Sequence, residues 1–213
     1  ITEKLDYIKG MGTTAIWLTP SFKNKPVQGG PGQESAGYHG YWITDFTQID
    51  PHLGTNEDMK DLIDAAHAKG MKVFFDIITN HTADVIDYEE KQYTYRSKKA
   101  YPYEDAAGEP FDDRDYVSKP AAEWPELDAG SFPYTPFLAE GDEDAKTPAW
   151  LNDPTMYHNR GDSTFAGESS TYGDFIALDD LFTERPKVAD SMGQIYTSSA
   201  ECAISGYRSD TVK

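Results

Sequence analysis

A chain of 213 residues, 38% apolar and 13% aromatic, can bury a sizeable core as one large domain or one and a half smaller ones. With 19 basic against 37 acidic residues the net charge is −18, which excludes the clustered lysine and arginine surface that nucleic acid requires. No apolar run reaches the length of a membrane span, and no secretory leader begins at Ile1.

In chain order, TEKLDYIKGMG (2–12) predicts a helix capped by Thr2, with Leu5 and Ile8 on one face and Gly10 or Gly12 at its end. TAIWLTP (14–20) predicts a buried strand stopped by Pro20. A loop rich in Gly and Pro follows, and TNEDMKDLIDAAHAKG (55–70) is the clearest helix. Thr55 with Asp58 makes a capping box, Met59, Leu62, Ile63 and Ala66 make an apolar stripe, and Gly70 is a stop. MKVFFDII (71–78) then reads as a continuous apolar strand. Helix and strand alternate with short links, the pattern of an α/β fold with parallel strands and crossover helices.

From Thr79 to about Asp180 the alternation stops. So long a stretch is too much for a loop and predicts a subdomain of its own. Between Glu104 and Asp144 stand 13 acidic and 2 basic residues, read as a solvated surface insert or as carboxylate oxygens for calcium, although no EF-hand spacing occurs. ERPKVADSMGQIYTSSAECAI (184–204) predicts a helix with Pro186 in its first turn, and GYRSD (206–210) the next strand. The single cysteine, Cys202, excludes an internal disulfide and a cysteine zinc site, and reads as a buried helix residue.

In parallel α/β folds, active residues gather at the carboxyl ends of strands. One predicted strand ends at Asp76 and runs into Asn80 and His81; another carries Arg208 and ends at Asp210. Residues two apart in a strand share a face, and an arginine beside a carboxylate favours its ionised form. The pair is either a structural ion pair or the held nucleophile that attack at a sugar carbon needs. YHGYW (38–42) offers His39, Tyr41 and Trp42, whose flat faces and polar edges suit sugar rings and equally suit core packing. Asn80-His81-Thr82 spells a glycosylation sequon, discounted because Asn80 follows a buried strand directly; its carbonyl reads better as a metal oxygen. In LDDLFTE (178–184), Asp179, Asp180 and Glu184 either face water or cap a helix, or ligate a metal.

GYHGYWITDF (37–46), DIITNH (76–81), LDDLFTE (178–184) and GYRSDTVK (206–213) resemble, in order and spacing, the signature segments of glycoside hydrolase family 13, the α-amylase family. GTTAIWLTP (12–20) resembles its second barrel strand. The resemblance implies a partial (β/α)8 TIM barrel with an irregular, acidic domain B inserted after the third strand. Residues 1–81 would be the first part of the catalytic barrel, 82–177 domain B, and 178–213 the barrel continued. The implied function is a retaining glycoside hydrolase of α-1,4-glucan (starch, glycogen, maltodextrin), an α-amylase working through a covalent glycosyl-aspartate. The alternatives are a debranching enzyme, a cyclomaltodextrinase, a glucanotransferase or a non-catalytic glucan-binding relative. By resemblance Asp210 is the nucleophile, Arg208 orients it, and Asp76 supports the arginine. His39 and His81 would hydrogen-bond sugar hydroxyls, Tyr41 would stack under the sugar with Trp42 beside it, and Asn80 and Asp180 would bind a structural calcium.

Several departures accompany the likeness. The family's acid Glu and third carboxylate are expected after Lys213, as is a His that often follows the matching Lys, so the 213-residue piece alone is expected to be inactive. The stretch 191–205 is poorer in apolar residues than the family's third helix, and Ser205 and Ser209 stand where other residues are common. One cysteine and an acidic surface fit a secreted bacterial enzyme acting on a polymer too large to import, and also a cytoplasmic one.

Overall fold

The computed structural model describes residues 1–200 and 203–211, so the expected burial of Cys202 lies outside the described residues. The first helix differs from expectation. Thr2–Lys4 is a 3₁₀ turn running into the α-helix Leu5–Gly10, so Thr2 sits inside the turn and caps nothing. The second helix, Asn56–Ala68, starts where its local chemistry dictates. Thr55 Oγ1 accepts the Asp58 N–H, and the Asp58 carboxylate accepts the Thr55 N–H. Both bonds satisfy donors that the first helical turn leaves open.

Three parallel strands form the central sheet, with Lys72–Ile77 between Ala15–Leu18 and Gly206–Ser209. Val73, Phe75 and Ile77 share one face and pack with Leu62, Ile63, Val188, Met192 and Ile195 of the two long helices. Each such side chain buried is worth about 1.5–3 kcal/mol, and a one-residue slip would turn all three to the wrong face. That pattern aims the alternate residues, Phe74 and Asp76, to the opposite face. The register brings Trp17 beside Phe74 and Arg208 beside Asp76 there.

The last long helix runs Pro186–Ala200, shorter than the sequence predicts. By Ser205 the chain is already paired with the sheet: its N–H meets the Val73 carbonyl at 2.9 Å, and its hydroxyl takes the Val73 N–H at 3.1 Å.

Between the second and third sheet strands, residues 81–180 form short antiparallel pairs joined by turns. His81–Ala83 pairs with Leu178–Asp180, and Ile86–Tyr88 with Pro136–Leu138. Tyr103, Trp124, Phe132 and Phe182 make a small aromatic core separate from the main one. Most of the acidic stretch faces water as expected, but Asp113 is fully buried and held by Lys98. Lys146, wholly buried, forms an ion pair with Asp179, whose carboxylate also takes the Val85 N–H at 2.9 Å. Lys146 therefore ties the loop before residue 148 to the LDDLF strand.

Candidate active site

Asp76, one residue from the end of its strand, has a fully buried side chain. Its two oxygens both accept from one nitrogen of Arg208, at 3.0 Å each. The same nitrogen donates to Asp210 at 2.7 Å. Asp210 lies just past its strand, where its N–H continues the ladder onto the Ile77 carbonyl and Thr211 Oγ1 donates to its second oxygen. Asp210 is thus held at three points while remaining partly exposed. Hydrogen bonds to Asp76 and then to Asp210 push the Arg208 guanidinium above its ordinary value, so it stays charged. Its other face lies over the Trp17 ring, 5.3 Å from the centroid.

Tyr41 joins this cluster from the loop, its hydroxyl donating to Asp76 at 2.9 Å. Burial, then the bond to Asp76, push the phenol up to about 12, so it remains a donor. His39 accepts the Tyr41 N–H on Nδ1 at 3.0 Å, which leaves the proton of a neutral ring on Nε2. Burial lowers the His39 pKa and favours that neutral form. Trp42 is not in the cluster; its ring abuts His39 edge-on at 4.6 Å and braces it.

The loop owes its shape to Asn24 and Gly40. Asn24 Oδ1 accepts the Trp42 N–H at 2.6 Å, and its amide nitrogen donates to the Gly37 and Lys25 carbonyls. At Gly40, φ is +83° and a Cβ would stand 2.1 Å from the Pro20 carbonyl oxygen, so only glycine fits.

His81 is buried beside Phe175. It is 3% exposed, its ring meets Phe175 edge-on, and Nδ1 lies 3.2 Å from Asn80 Oδ1. Phe175 in turn stacks on Phe165, which is largely exposed. The structure therefore brings together Tyr41, Asp76, Arg208 and Asp210 with His39 adjoining, and sets buried His81 edge-on to Phe175. Asn80 and Asp180 lie on neighbouring strand ends, where the Leu181 N–H meets the Asn80 carbonyl at 2.8 Å. Asn80 is buried, and its amide nitrogen has no hydrogen-bond partner. A cavity of about 430 Å³ lined by Phe22, Phe46, Phe75 and Ile195 is on the helix-facing side of the sheet, away from this cluster.

The cluster aims the Asp210 carboxylate out of the strand end beside the Arg208 guanidinium, with His39 and Tyr41 alongside. The family model described as the alpha-amylase catalytic domain matches residues 1–213. An alpha-amylase of Streptomyces lividans is 64% identical over the whole chain, which spans 23% of that protein's length. A beta/alpha-amylase of Paenibacillus polymyxa is 31% identical over the whole chain, which spans 13% of that protein. Among solved structures, the alpha-amylase of Geobacillus thermoleovorans complexed with acarbose superposes with a TM-score of 0.59 at 31% identity, covering 99% of this chain and 33% of that one. The three parallel strands and their helices are thus part of a TIM-barrel architecture, and the chain belongs to the α-amylase catalytic-domain family.

Proposed function

We propose that this chain carries the nucleophile half of a retaining α-1,4-glucan hydrolase, an α-amylase. The observation that carries the proposal is the single Arg208 nitrogen shared by Asp76 and Asp210 at a strand end. In this reading Asp210 attacks the anomeric carbon of a bound glucose unit. The bond to the leaving oxygen breaks as a glycosyl–aspartate ester forms, and the leaving oxygen takes its proton from a carboxylic acid outside residues 1–213. Water then attacks the same carbon and releases Asp210. Arg208 fixes the attacking oxygen, and Asp76 fixes Arg208. Tyr41 lies under the sugar, and Nε2–H of His39 donates to a hydroxyl. Trp42 acts through His39, and His81 reaches a hydroxyl once Phe175 shifts aside.

Residues 1–81 and 178–213 would be barrel and 82–177 domain B. The separate aromatic core within the middle segment supports that division. Calcium would be the structural ion, held by Asn80 and Asp180. A hard cation takes oxygen donors, and turning over the Asn80 amide would put an oxygen where its nitrogen now lacks a partner. Among the described residues no three or more His, Cys, Asp or Glu side chains are grouped to hold a metal, so backbone carbonyls, water or residues outside the described set would complete the shell. When bound, calcium supplies cohesion between the two strand ends rather than a reacting group. A substrate too large to import supports an extracellular location; no helix among the described residues is long and apolar enough to cross a membrane.

The test is Asp210→Asn in an enzyme carrying this segment at the full length of its Streptomyces relative. Starch turnover should vanish while the melting temperature stays close to wild type. A slow fluorinated glycosyl donor should add its mass to the Asp210 peptide of the wild-type enzyme. Normal turnover in the variant, or label on another residue, would overturn the assignment.

A further inference from the structure

The cavity on the helix-facing side of the sheet has no part in the scheme above. At about 430 Å³ it far exceeds the voids of a close-packed interior and has the size of a ligand pocket. It lies where the strand Ile43–Ile49, the helix Asn56–Ala68, the helix Pro186–Ala200 and the segment holding Pro148 and Trp150 meet. Phe22, Phe46, Phe75 and Trp150 supply aromatic rings to its walls, and the Phe22 and Phe46 rings brace each other at 6.0 Å.

The wall formed by the last helix is polar. Val188, Met192, Ile195 and Tyr196 make that helix's apolar stripe. Beside it Ser191, Gln194 and Ser198 fall at i, i+3 and i+7 and so share a face, and all three line the cavity. They belong to the stretch that is poor in apolar residues. A helix that only packed against its neighbours would carry carbon at these positions. Instead two hydroxyls and an amide line the cavity, with no hydrogen-bond partner for them among the described residues. The rim opposite is fixed: Asn56 Oδ1 accepts the Ile49 N–H at 2.8 Å, and Asn56 Nδ2 donates to the Thr47 carbonyl at 3.1 Å. No charged side chain among the described residues lines the cavity.

These walls exclude most guests. An ion would lose its hydration and gain no counter-charge. A purely apolar guest would strip water from Ser191, Gln194 and Ser198 and return no hydrogen bond. A neutral ring with carbon faces and a rim of hydroxyls satisfies both kinds of wall. We propose that this cavity is a second carbohydrate site, which takes a neutral sugar unit between its aromatic rings and the face of Ser191, Gln194 and Ser198. Phe75 faces the cavity while the next residue, Asp76, meets Arg208 across the sheet. The sheet therefore separates the two sites, and a sugar in the cavity binds without being cut.

The test uses the full-length enzyme carrying Asp210→Asn, with maltose as the probe in calorimetric titration. Two classes of site are expected. Ser198→Trp, which fills the cavity mouth from an exposed helix position, should abolish one class and leave the other. Gln194→Leu with Ser198→Leu keeps the volume but removes polar groups, and should weaken the same class about 10-fold, as the loss of ordinary hydrogen bonds does. With Asp210 intact, neither variant should change the turnover number on starch. Trp150 gives a second readout: maltose should alter its fluorescence, and Trp150→Phe should remove that change while the calorimetric class persists. One class of site that neither variant alters, or full maltose affinity in the double leucine variant, would overturn the inference. Either result leaves the role of Asp210 untouched, since that role is read from turnover and labelling.

Discussion

One nitrogen of Arg208 stands 3.0 Å from both carboxylate oxygens of Asp76, a buried side chain 132 residues earlier in the chain. The strand register makes this inevitable once the sheet forms, because Arg208 and Asp76 are direct partners across it. A second N–H on the same nitrogen is directed at Asp210.

Asp76→Asn should therefore act on the chemistry rather than on binding. A neutral amide offers Arg208 one acceptor in place of two, and the arginine can swing away from Asp210. Turnover number should fall about 100-fold, as for misplacement of a reacting group by about an ångström, with KM for a maltooligosaccharide nearly unchanged. Steady-state kinetics decide it, since a rise in KM with unchanged turnover number would assign Asp76 to substrate binding.

Lys146→Met removes the cation that neutralises buried Asp179. Burial opposes the charge on Lys146, but Asp179 and Tyr157 more than compensate and raise its pKa, so Lys146 stays protonated. Leaving Asp179 alone should cost about 3–5 kcal/mol, the usual penalty for an orphaned buried charge. Denaturant unfolding measures it, and Lys146→Met with Asp179→Asn should recover part of the loss.

Asp84 gives a pH-dependent prediction. Burial first, then the neighbouring Asp179, raise its carboxyl from 3.8 to about 6. A folded-state value above the unfolded one contributes stability fully below pH 3.8, and that contribution is lost as pH rises through about 6. At pH 7 the ionised group thus weighs against folding by about 3 kcal/mol. Asp84→Asn should raise the melting temperature at pH 7 and leave it almost unchanged at pH 4. An equal shift at both values would show that charge is not the cause.

Gly40→Ala should damage the loop that carries His39 and Tyr41, since its positive φ and the 2.1 Å approach to the Pro20 oxygen both exclude a Cβ. The cost is about 1–3 kcal/mol, with a marked loss of turnover on starch. Gly10→Ala is the control: a Cβ there meets nothing within 4 Å, and in the helix Leu5–Gly10 it should be neutral or slightly stabilising. Similar melting temperatures for the two variants would refute the steric account.

Legibility along the chain followed distance. The helix Asn56–Ala68 was readable because Thr55, Asp58, the apolar stripe and Gly70 act on their near neighbours. The last helix ends at Ala200 rather than at the expected 204 because Ser205 is already paired with the sheet, a competition between helix and strand that periodicity does not register. Asp76, Arg208 and Asp210 were identifiable as strand-end residues, and family resemblance supplied their proposed roles. Asn24 and Lys146 carried no readable signal. An isolated Asn in a loop and a Lys near a Pro each have many exposed uses.

By itself the sequence determined the alternation of helix and strand, the capping of the second helix and which residues could stand at strand ends. These depend on hydrogen bonds and side-chain periods within a few residues. Only the tertiary structure decided that Arg208 joins Asp76 to Asp210, that Tyr41 reaches the same carboxylate, and that His81 is buried edge-on to Phe175. Those outcomes depend on register and burial, because the strength of a charge pair or hydrogen bond follows separation in space and exclusion of water, which spacing along the chain does not specify.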